Sequence, residues 1–446
     1  MIDDPVRLLW AAATVVIWLA FTGWTVWRFR SKPAPAAQPG STLIAVASQT
    51  GFGDELAGMT ARAFADAGQV AQIKSFAEIE PVDLTTAARV LFIASTTGEG
   101  DAPDSASGFV RKVMTGGANL SDVSYGLLSL GDRTYAEFCG FGRALDGWLK
   151  SAGASPLFDA VEVDNGDAAA IRHWQGELSR LTGSVAAPDW APPSYAHWRL
   201  VERRLLNPGS PGEGAWHLAF EPVDGVLQWV AGDIAEIGVP APEGGLAHRE
   251  YSVASLPSDG RAEFLIRLMQ RPDGTPGLAS GWLTQTLNVG EIAPMRIRAN
   301  RAFHGPDAAT PMILIGNGTG IAGLRSHLKT RAVQGSTAGA WLMFGERTSA
   351  HDRFHDEELQ AWRTNGVLTR LDRTFSRDAG DGRYVQAVIE AEAEAVRDWV
   401  GRGAAIYVCG SLEGMAGGVN AALETVLGAE ALRDLVENGR YRRDVY

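Results

Sequence analysis

Cysteine is scarce in this chain: Cys139 and Cys409 are the two in 446 residues, far apart and without the spacing of metal ligands. That argues against a disulfide framework and a zinc site, and makes a reducing compartment the natural setting. Positive charge is short as well, with 40 Lys and Arg against 52 Asp and Glu, a net charge of -12. Non-specific nucleic-acid binding needs a basic footprint and is excluded by that balance; a macromolecular partner would be basic on its docking face. No internal repeat or low-complexity block occurs. With 46% hydrophobic and 21% charged residues the chain is neither disordered nor fibrous, and its length suits two or three globular domains.

What is present begins with a long apolar run. Leu8 to Trp27, "LLWAAATVVIWLAFTGWTVW", carries no charge and is long enough to cross a hydrocarbon core as a helix. Trp10 lies near one end, with Trp24 and Trp27 near the other. Asp3, Asp4 and Arg7 precede the run, and Arg28, Arg30 and Lys32 follow it. The positive-inside bias then predicts a single-pass membrane anchor over 1–30, with the bulk of the chain in the cytoplasm. A cleaved signal peptide, the competing reading, normally has its charge at the N-terminal end and a shorter apolar core. "SKPAPAAQPGS" (Ser31 to Ser41) reads as a semi-extended linker over 31–41.

From Thr42 to about Leu181, apolar stretches such as "TLIAVA", "RVLFIAST" and "YGLLSLG" alternate with helical ones such as "ELAGMTARAFADAG" and "GFGRALDGWLKSAG". That alternation predicts a parallel sheet with helices on both faces. "APDWAPP" (Ala187 to Pro193) marks a boundary. Beyond it "HWRLVERRLL", "GAWHLAFEP", "GVLQWVAGDIAEIGV", "REYSVAS" and "AEFLIRLMQ" are alternating segments divided by Gly and Pro, the pattern of an antiparallel barrel. From about Ala309 the α/β alternation returns with "PMILIGNGTG", "AWLMFGERT", "VLTRLDRTFS" and "AAIYVCGS". The predicted units are therefore 42–185, 194–306 and 307–446.

In an open α/β sheet, ligands sit beyond the carboxyl ends of the strands, where a helix start offers N–H groups to an anion. "SQTGFGDE" follows the first strand, with Ser48 and Thr50 as hydroxyl donors and Gly51 and Gly53 permitting close approach. "STTGEGDAPD" (Ser95 to Asp104) could hydrogen-bond the edge of a planar ring, and "SLGDRTYAEFCG" (Ser129 to Gly140) could lay Tyr135 on its face. Each alone is ordinary turn chemistry; three in order at strand ends are a constellation. In "REYS", Arg249 and Ser252 point the same way in a bulged turn or opposite ways in a regular strand, and the bland reading is an edge strand with a surface Arg. "GLASGWL" (Gly277 to Leu283) is a second small-residue helix start suited to a pyrophosphate. "LIGNGTGIAG" (Leu314 to Gly323) is a dinucleotide fingerprint, weak when alone. "FSRDAGDGRYVQ" adds Ser376 and Arg377, a hydroxyl and a guanidinium suited to a ribose 2'-phosphate; otherwise it is a solvated polar loop.

The three loops of 42–185 resemble those of the flavodoxin-like FMN domain of the diflavin reductase family, which includes NADPH-haemoprotein reductases and sulfite reductase flavoproteins. The resemblance spans about Thr42 to Tyr446. It implies an α/β architecture: a doubly wound FMN domain, then an FAD-binding antiparallel β-barrel and a Rossmann-like NADP domain of the ferredoxin-reductase kind. FMN would be held by Ser48, Gln49, Thr50, Gly51, Phe52 and Gly53; by Ser95, Thr96, Thr97 and Gly98; and by Leu130, Gly131, Asp132, Tyr135, Phe138 and Cys139. FAD would be held by Arg249 on its phosphate, Tyr251 on the flavin and Ser252 near the hydride-accepting nitrogen, with Gly277, Leu278, Ala279 and Ser280 forming the second motif. NADPH would meet Gly318, Thr319, Ser376, Arg377, Arg383, Tyr384 and Gln386. Ser252, Cys409 and Asp444 would surround the hydride-transfer site, with Tyr446 covering the flavin face.

There are departures from the family pattern. Phe52 stands where the family has a third hydroxyl, so the phosphate is held less firmly or another donor substitutes. Thr97 replaces an aromatic residue found in some members, leaving Tyr135 to stack. Gly382 takes a Lys position, with Arg383 displaced by one, and Ser411 and Gly418 stand where relatives carry aspartates. "GVPAPEGGLAH" replaces a large helical insertion, making this a compact form without the connecting domain. The resemblance implies electron flow from NADPH to FAD to FMN to a protein redox partner, such as a haem protein. Glu99, Asp101, Asp104, Asp132 and Glu137 would either steer a basic acceptor or simply keep the surface soluble. Two alternatives stand beside this: direct reduction of a small acceptor such as a ferric chelate or quinone, and a flavin-binding membrane sensor or scaffold with vestigial electron transfer.

Overall fold

The computed structural model describes residues 40–133, 135–184, 190, 193–242, 244–380 and 382–446. The run expected to span a membrane, and its linker up to Pro39, lie outside the described residues. Among the described residues no helix is long and apolar enough to cross a membrane. The single-pass localisation expected from the sequence is corrected on that finding and withdrawn. Apolar length is necessary for a membrane span without being sufficient for one.

The first sheet contains β1 (Thr42–Ala47), β2 (Ala71–Ser75), β3 (Arg89–Ser95), β4 (Ser124–Gly131), β5 (Ser155–Pro156) and β6 (Val161–Asp164). Its order is β2-β1-β3-β4-β5, with β6 also on β4, and the pairings are parallel. Helices cover both faces, which is why β1 is buried along its whole length and reads as a continuous apolar run. Alternate residues still separate two cores. Ile44, Leu91 and Leu128 pack with Leu56, Phe64 and Trp174; Leu43, Phe92 and Leu127 pack with Phe109, Phe141 and Leu145.

The second sheet is antiparallel, in the order β10-β9-β12-β7-β8-β11. Its strands are β7 (Ala196–Leu205), β8 (Ala215–Pro222), β9 (Ile234–Pro240), β10 (Leu246–Ser252), β11 (Ala262–Arg267) and β12 (Ile292–Arg298). Past β10, the Ala254 N–H bonds the Glu263 carbonyl of β11 at 2.8 Å and draws the sheet round on itself. The inner face is filled by Trp198, Leu218, Phe220, Ile237, Phe264 and Met295. "GVLQWVAGDIAEIGV" is strand only from Ile234, because irregular chain precedes it. Where the resemblance puts the missing helical insertion, β9 turns straight into β10, with Ala241 N–H on Gly245 carbonyl at 3.1 Å.

The third sheet is parallel, in the order β15-β14-β13-β16-β17. Its strands are β13 (Met312–Asn317), β14 (Ala340–Glu346), β15 (Arg370–Phe375), β16 (Ala405–Gly410) and β17 (Tyr441–Val445). The C-terminal "GRYRRDVY" thus supplies an edge strand, as Ala71–Ser75 does in the first sheet. Neither has a long apolar run, because an edge strand is covered less than a central one. In both parallel sheets the chain order reverses beside the first strand, which opens a crevice at the carboxyl ends of β1 and β3 and of β13 and β16.

Candidate functional site

The loop after β1 is shaped by Gly51, at φ 85°, which caps the helix Phe52–Asp66 without any side-chain hydrogen bond. The Gly51 N–H turns back to Ser48 Oγ at 3.0 Å, and the first-turn N–H groups have no partner within the helix. A Cβ on Gly53 would press against the Ser48 side chain at 3.2 Å, so close approach is used here. After β3, Thr97 and Asp101 exchange backbone hydrogen bonds of 2.8 and 2.9 Å around Gly98 and Gly100, both at positive φ. The Thr96 hydroxyl oxygen is buried and has no hydrogen-bond partner among the described residues. After β4, Cys139 adopts a left-handed conformation at φ 55° to start the helix Gly140–Ser151. Its Sγ donates to the Ser129 carbonyl at 3.5 Å, and burial pushes its thiol up.

These loops share one cavity of about 750 Å³. Gln49, Thr50, Phe52, Ser95, Thr96, Thr97, Gly98, Leu130, Gly131, Asp132, Tyr135, Phe138 and Cys139 line it, while Ser48, Gly51 and Gly53 do not. The donor set fits FMN: an uncapped helix start for an anion, an orphaned buried hydroxyl at a ring edge, and a half-exposed Tyr135 on the cavity wall. The far wall of the cavity comes from the rest of the molecule, through Tyr195, Glu236, His248, Glu250, Arg296, Leu412, Arg443 and Tyr446. Sequence reasoning missed the barrel members of this wall. On β9, β10 and β12 they alternate with core residues, which is the ordinary pattern of a solvent-facing side.

Arg249 and Ser252 lie on a regular strand, paired with Ile237 and Ile234, and so point to opposite faces. Arg249 is exposed, Tyr251 is half-buried, and Ser252 is buried. The Ser252 Oγ–H donates to Asp444 Oδ2 at 2.7 Å, and Cys409 Sγ–H lies 3.7 Å from the same oxygen. Three distant segments, from β10, β16 and β17, thus meet at one carboxylate. Burial raises the Asp444 carboxyl, while the two hydrogen bonds pull the other way. Burial, with Asp444 beside it, pushes the Cys409 thiol well above its ordinary range, so it stays protonated. None of these side chains lines the large cavity, and neither does the segment Gly277–Ser280. That segment opens a short helix, with Ser280 Oγ accepting from Met269 N–H at 3.0 Å.

Beyond β13, Gly320 packs on the end of β16, where any Cβ would strike the Cys409 carbonyl. Thr319 Oγ1 is 3.3 Å from the hydroxyl of Tyr446, which is half-exposed at the chain end. Ser376 and Arg377 leave β15 with their N–H groups on the Glu346 and Arg347 carbonyls, at 2.8 and 2.7 Å. Arg377, Arg383 and Tyr384 are exposed along this edge, and Gln386 Oε1 is buried with no partner among the described residues. A guanidinium edge beside a glycine turn fits a phosphorylated dinucleotide.

Of the acidic residues expected at the rim, Asp104 is engaged internally by Arg443, with Nε at 3.0 Å, and Glu99 accepts from Ala136 N–H at 3.1 Å.

Comparison with known proteins follows the same division. Residues 44–174 match the flavodoxin family, and residues 314–421 match the oxidoreductase NAD-binding domain family. The chain is 26% identical to a protein named "Sulfite reductase [NADPH] flavoprotein alpha-component" from Vibrio cholerae serotype O1, over 92% of this chain and 88% of the relative. Proteins of the same name from Neisseria meningitidis serogroup C and Bacillus subtilis are 26% and 25% identical, over 92% and 93% of this chain and 90% of each relative. The first alignment runs over 546 residues, more than the 446 here, so the relative carries inserted sequence that this compact chain lacks. Two matched families, relatives of one kind over nearly the whole length, and a cavity suited to a flavin together support a diflavin reductase: an NADPH-dependent oxidoreductase using FMN and FAD.

Proposed function

We propose that this chain is the flavoprotein arm of a two-component reductase, taking electrons from NADPH and passing them to a separate redox protein, as the name of its relatives suggests. The observation that carries this is the shared cavity, in which the loops of the first sheet face Tyr446 and the barrel. A first-sheet site that faces Tyr446 across one cavity would bring the two flavins within reach of intramolecular transfer. FAD would lie against Tyr251, Arg249 and the Gly277–Ser280 helix start, and FMN against the loops at 48–53, 95–98 and 130–139. When bound, the flavins supply two-electron acceptance from the nicotinamide and one-electron release, chemistry that no side chain here provides.

The side chains position the reactants. Asp444 holds the Ser252 hydroxyl and the Cys409 thiol together. With FAD bound, Ser252 would present its oxygen lone pairs toward the flavin, and the neutral Cys409 thiol would add bulk without charge at the nicotinamide site. Tyr446 would cover the ring face and give way to the nicotinamide; its half-exposed position and its contact with Thr319 of the dinucleotide turn suit that exchange. Ser376 and Arg377 receive the 2'-phosphate. The acceptor would be a protein with a basic face, because Glu99, Asp101, Asp132 and Glu137 border the first-sheet loops.

Flavin content and anaerobic NADPH titration of the purified chain test this reading. Equal amounts of FMN and FAD, both bleached by NADPH, are expected. FAD without FMN would overturn the relay.

A further inference from the structure

The loop that would take the FMN phosphate has no cation of its own. "SQTGFGDE" contains two carboxylates, no Lys or Arg, and Phe52 where a hydroxyl is expected. Cations nevertheless face it, and they come from the barrel. Arg296 holds Glu55 with its Nη1 at 2.9 and 3.1 Å. Arg301 acts on Asp54 from the chain just beyond β12. Arg298 reaches furthest in: its Nη1 donates to the Thr50 carbonyl, its Nη2 pairs with Glu250, and its carbon centre sits 5.8 Å from the centroid of the Phe52 ring. The residue that removes the hydroxyl therefore seats a guanidinium. The Arg298 side chain is 6% exposed, yet its Nε is buried without a hydrogen-bond partner; the Glu236 carboxylate, at 4.0 Å, is too far to serve. A buried, incompletely satisfied cation beside an uncapped helix start marks a place for an anion.

We infer that Arg298 supplies, from the barrel, the charge that the FMN phosphate loop lacks, so that phosphate binding and docking of the first unit on the barrel stabilise each other. The inference rests on the FMN site proposed above. Arg298 is a positioning residue: it gives the phosphate an unlike charge in a site where water is excluded, and Glu250 holds its guanidinium in place until the phosphate arrives. Because coupling between two binding events is reciprocal, whatever docking contributes to FMN affinity, FMN contributes to docking.

The test compares FMN with riboflavin, which has the same ring and no phosphate, on the flavin-stripped full chain, with Kd read from flavin fluorescence. Arg298→Gln should weaken FMN about tenfold while leaving riboflavin within about twofold, as loss of one charge-assisted contact to phosphate implies. Glu250→Gln, which frees the guanidinium, should strengthen FMN and not riboflavin. Phe52→Thr in the Arg298→Gln background should restore FMN binding by returning the hydroxyl, and so also shows that the variant folds. Equal loss of both ligands in Arg298→Gln, or no loss of either, overturns the inference while leaving the FMN site standing. A parent chain that binds neither flavin at the first unit overturns both.

Discussion

The barrel meets the last sheet through apolar side chains: Ala215, Ala254 and Leu265 share one cluster with Met312, Leu314 and Leu324. Across that joint Arg325 is buried, with Nη1 on the Ala254 carbonyl at 3.0 Å and on Glu263 at 2.6 Å, while Glu358 takes its other edge. The first sheet meets the rest differently. Its two apolar clusters are its own, and it touches the other units through Glu55–Arg296, Thr50–Arg298, Gln49–Arg443, Asp104–Arg443 and Lys112–Glu437. An apolar joint is indifferent to salt and costly to open, whereas charged pairs at a surface are screened and individually weak. The triad of Ser252, Cys409 and Asp444 lies across the first kind of joint, and the large cavity lies at the second.

That contrast can be broken at several points. The largest effect is expected from Arg325→Ala, which removes a buried guanidinium from between Glu263 and Glu358, leaves Glu263 ion-paired with Arg261 alone, and should cost about 3 kcal/mol in urea unfolding. Barrel and last sheet should then lose stability together, and loss confined to one of them would mean that the joint is not a single cooperative unit. Acid should weaken the same joint. Burial alone would raise the Glu263 carboxyl, but Arg325 overrides it and holds the group at about 2, against 4.5 in the unfolded chain. His217 and Lys329 act on Glu263 in the same direction. The stabilisation is therefore complete above pH 4.5 and is lost as pH falls through the window to about 2, on the order of 3 kcal/mol in all. His327 and His355, buried and held neutral down to about 3 and about 2, add loss of the same sign below 6.5. Denaturant midpoints against pH check this, with Glu263→Gln flattening the curve between 4.5 and 2.

A smaller effect sharpens the comparison chemically. Ser252→Ala should slow flavin reduction by NADPH by about 10²-fold in stopped flow with flavin content unchanged, as removal of one oriented polar contact at a reacting centre does. Unchanged reduction would release Ser252 and Asp444 from the proposed role. The smallest is expected at the charged joint: Lys112→Gln, which removes an exposed partner of Glu437, should cost about 1 kcal/mol or less of docking. Scattering should show the first unit more detached in the variant, and in the parent at an ionic strength on the order of 0.5 M, where screening is strong. Flavin reduction by NADPH should stay within about twofold under the same conditions, and a parallel loss would merge the two joints into one.

The parallel sheets were legible because their central strands, such as "TLIAVA" and "PMILIGN", are buried on both faces and so are apolar throughout. The glycine and hydroxyl turns were legible because left-handed backbone and close approach demand specific residues, as at Gly51 and Gly320. β2 and β17 were not, because edge strands need less apolar sequence. The barrel wall of the cavity was hidden as well: Glu236, Glu250 and Arg296, and Arg298 beside them, read as the wet side of ordinary strands until another unit is laid over them.

By itself, then, the sequence determined the order of the sheets, the glycine turns at their strand ends and the acidity of the first loop, all of which depend on neighbours a few residues away. The membrane location drawn from its first apolar run did not stand. Tertiary structure alone decided that Ser252 meets Asp444 192 positions away and that Arg298 reaches Thr50 across 248. Such contacts depend on how separately folded units pack, and local periodicity carries no term for that.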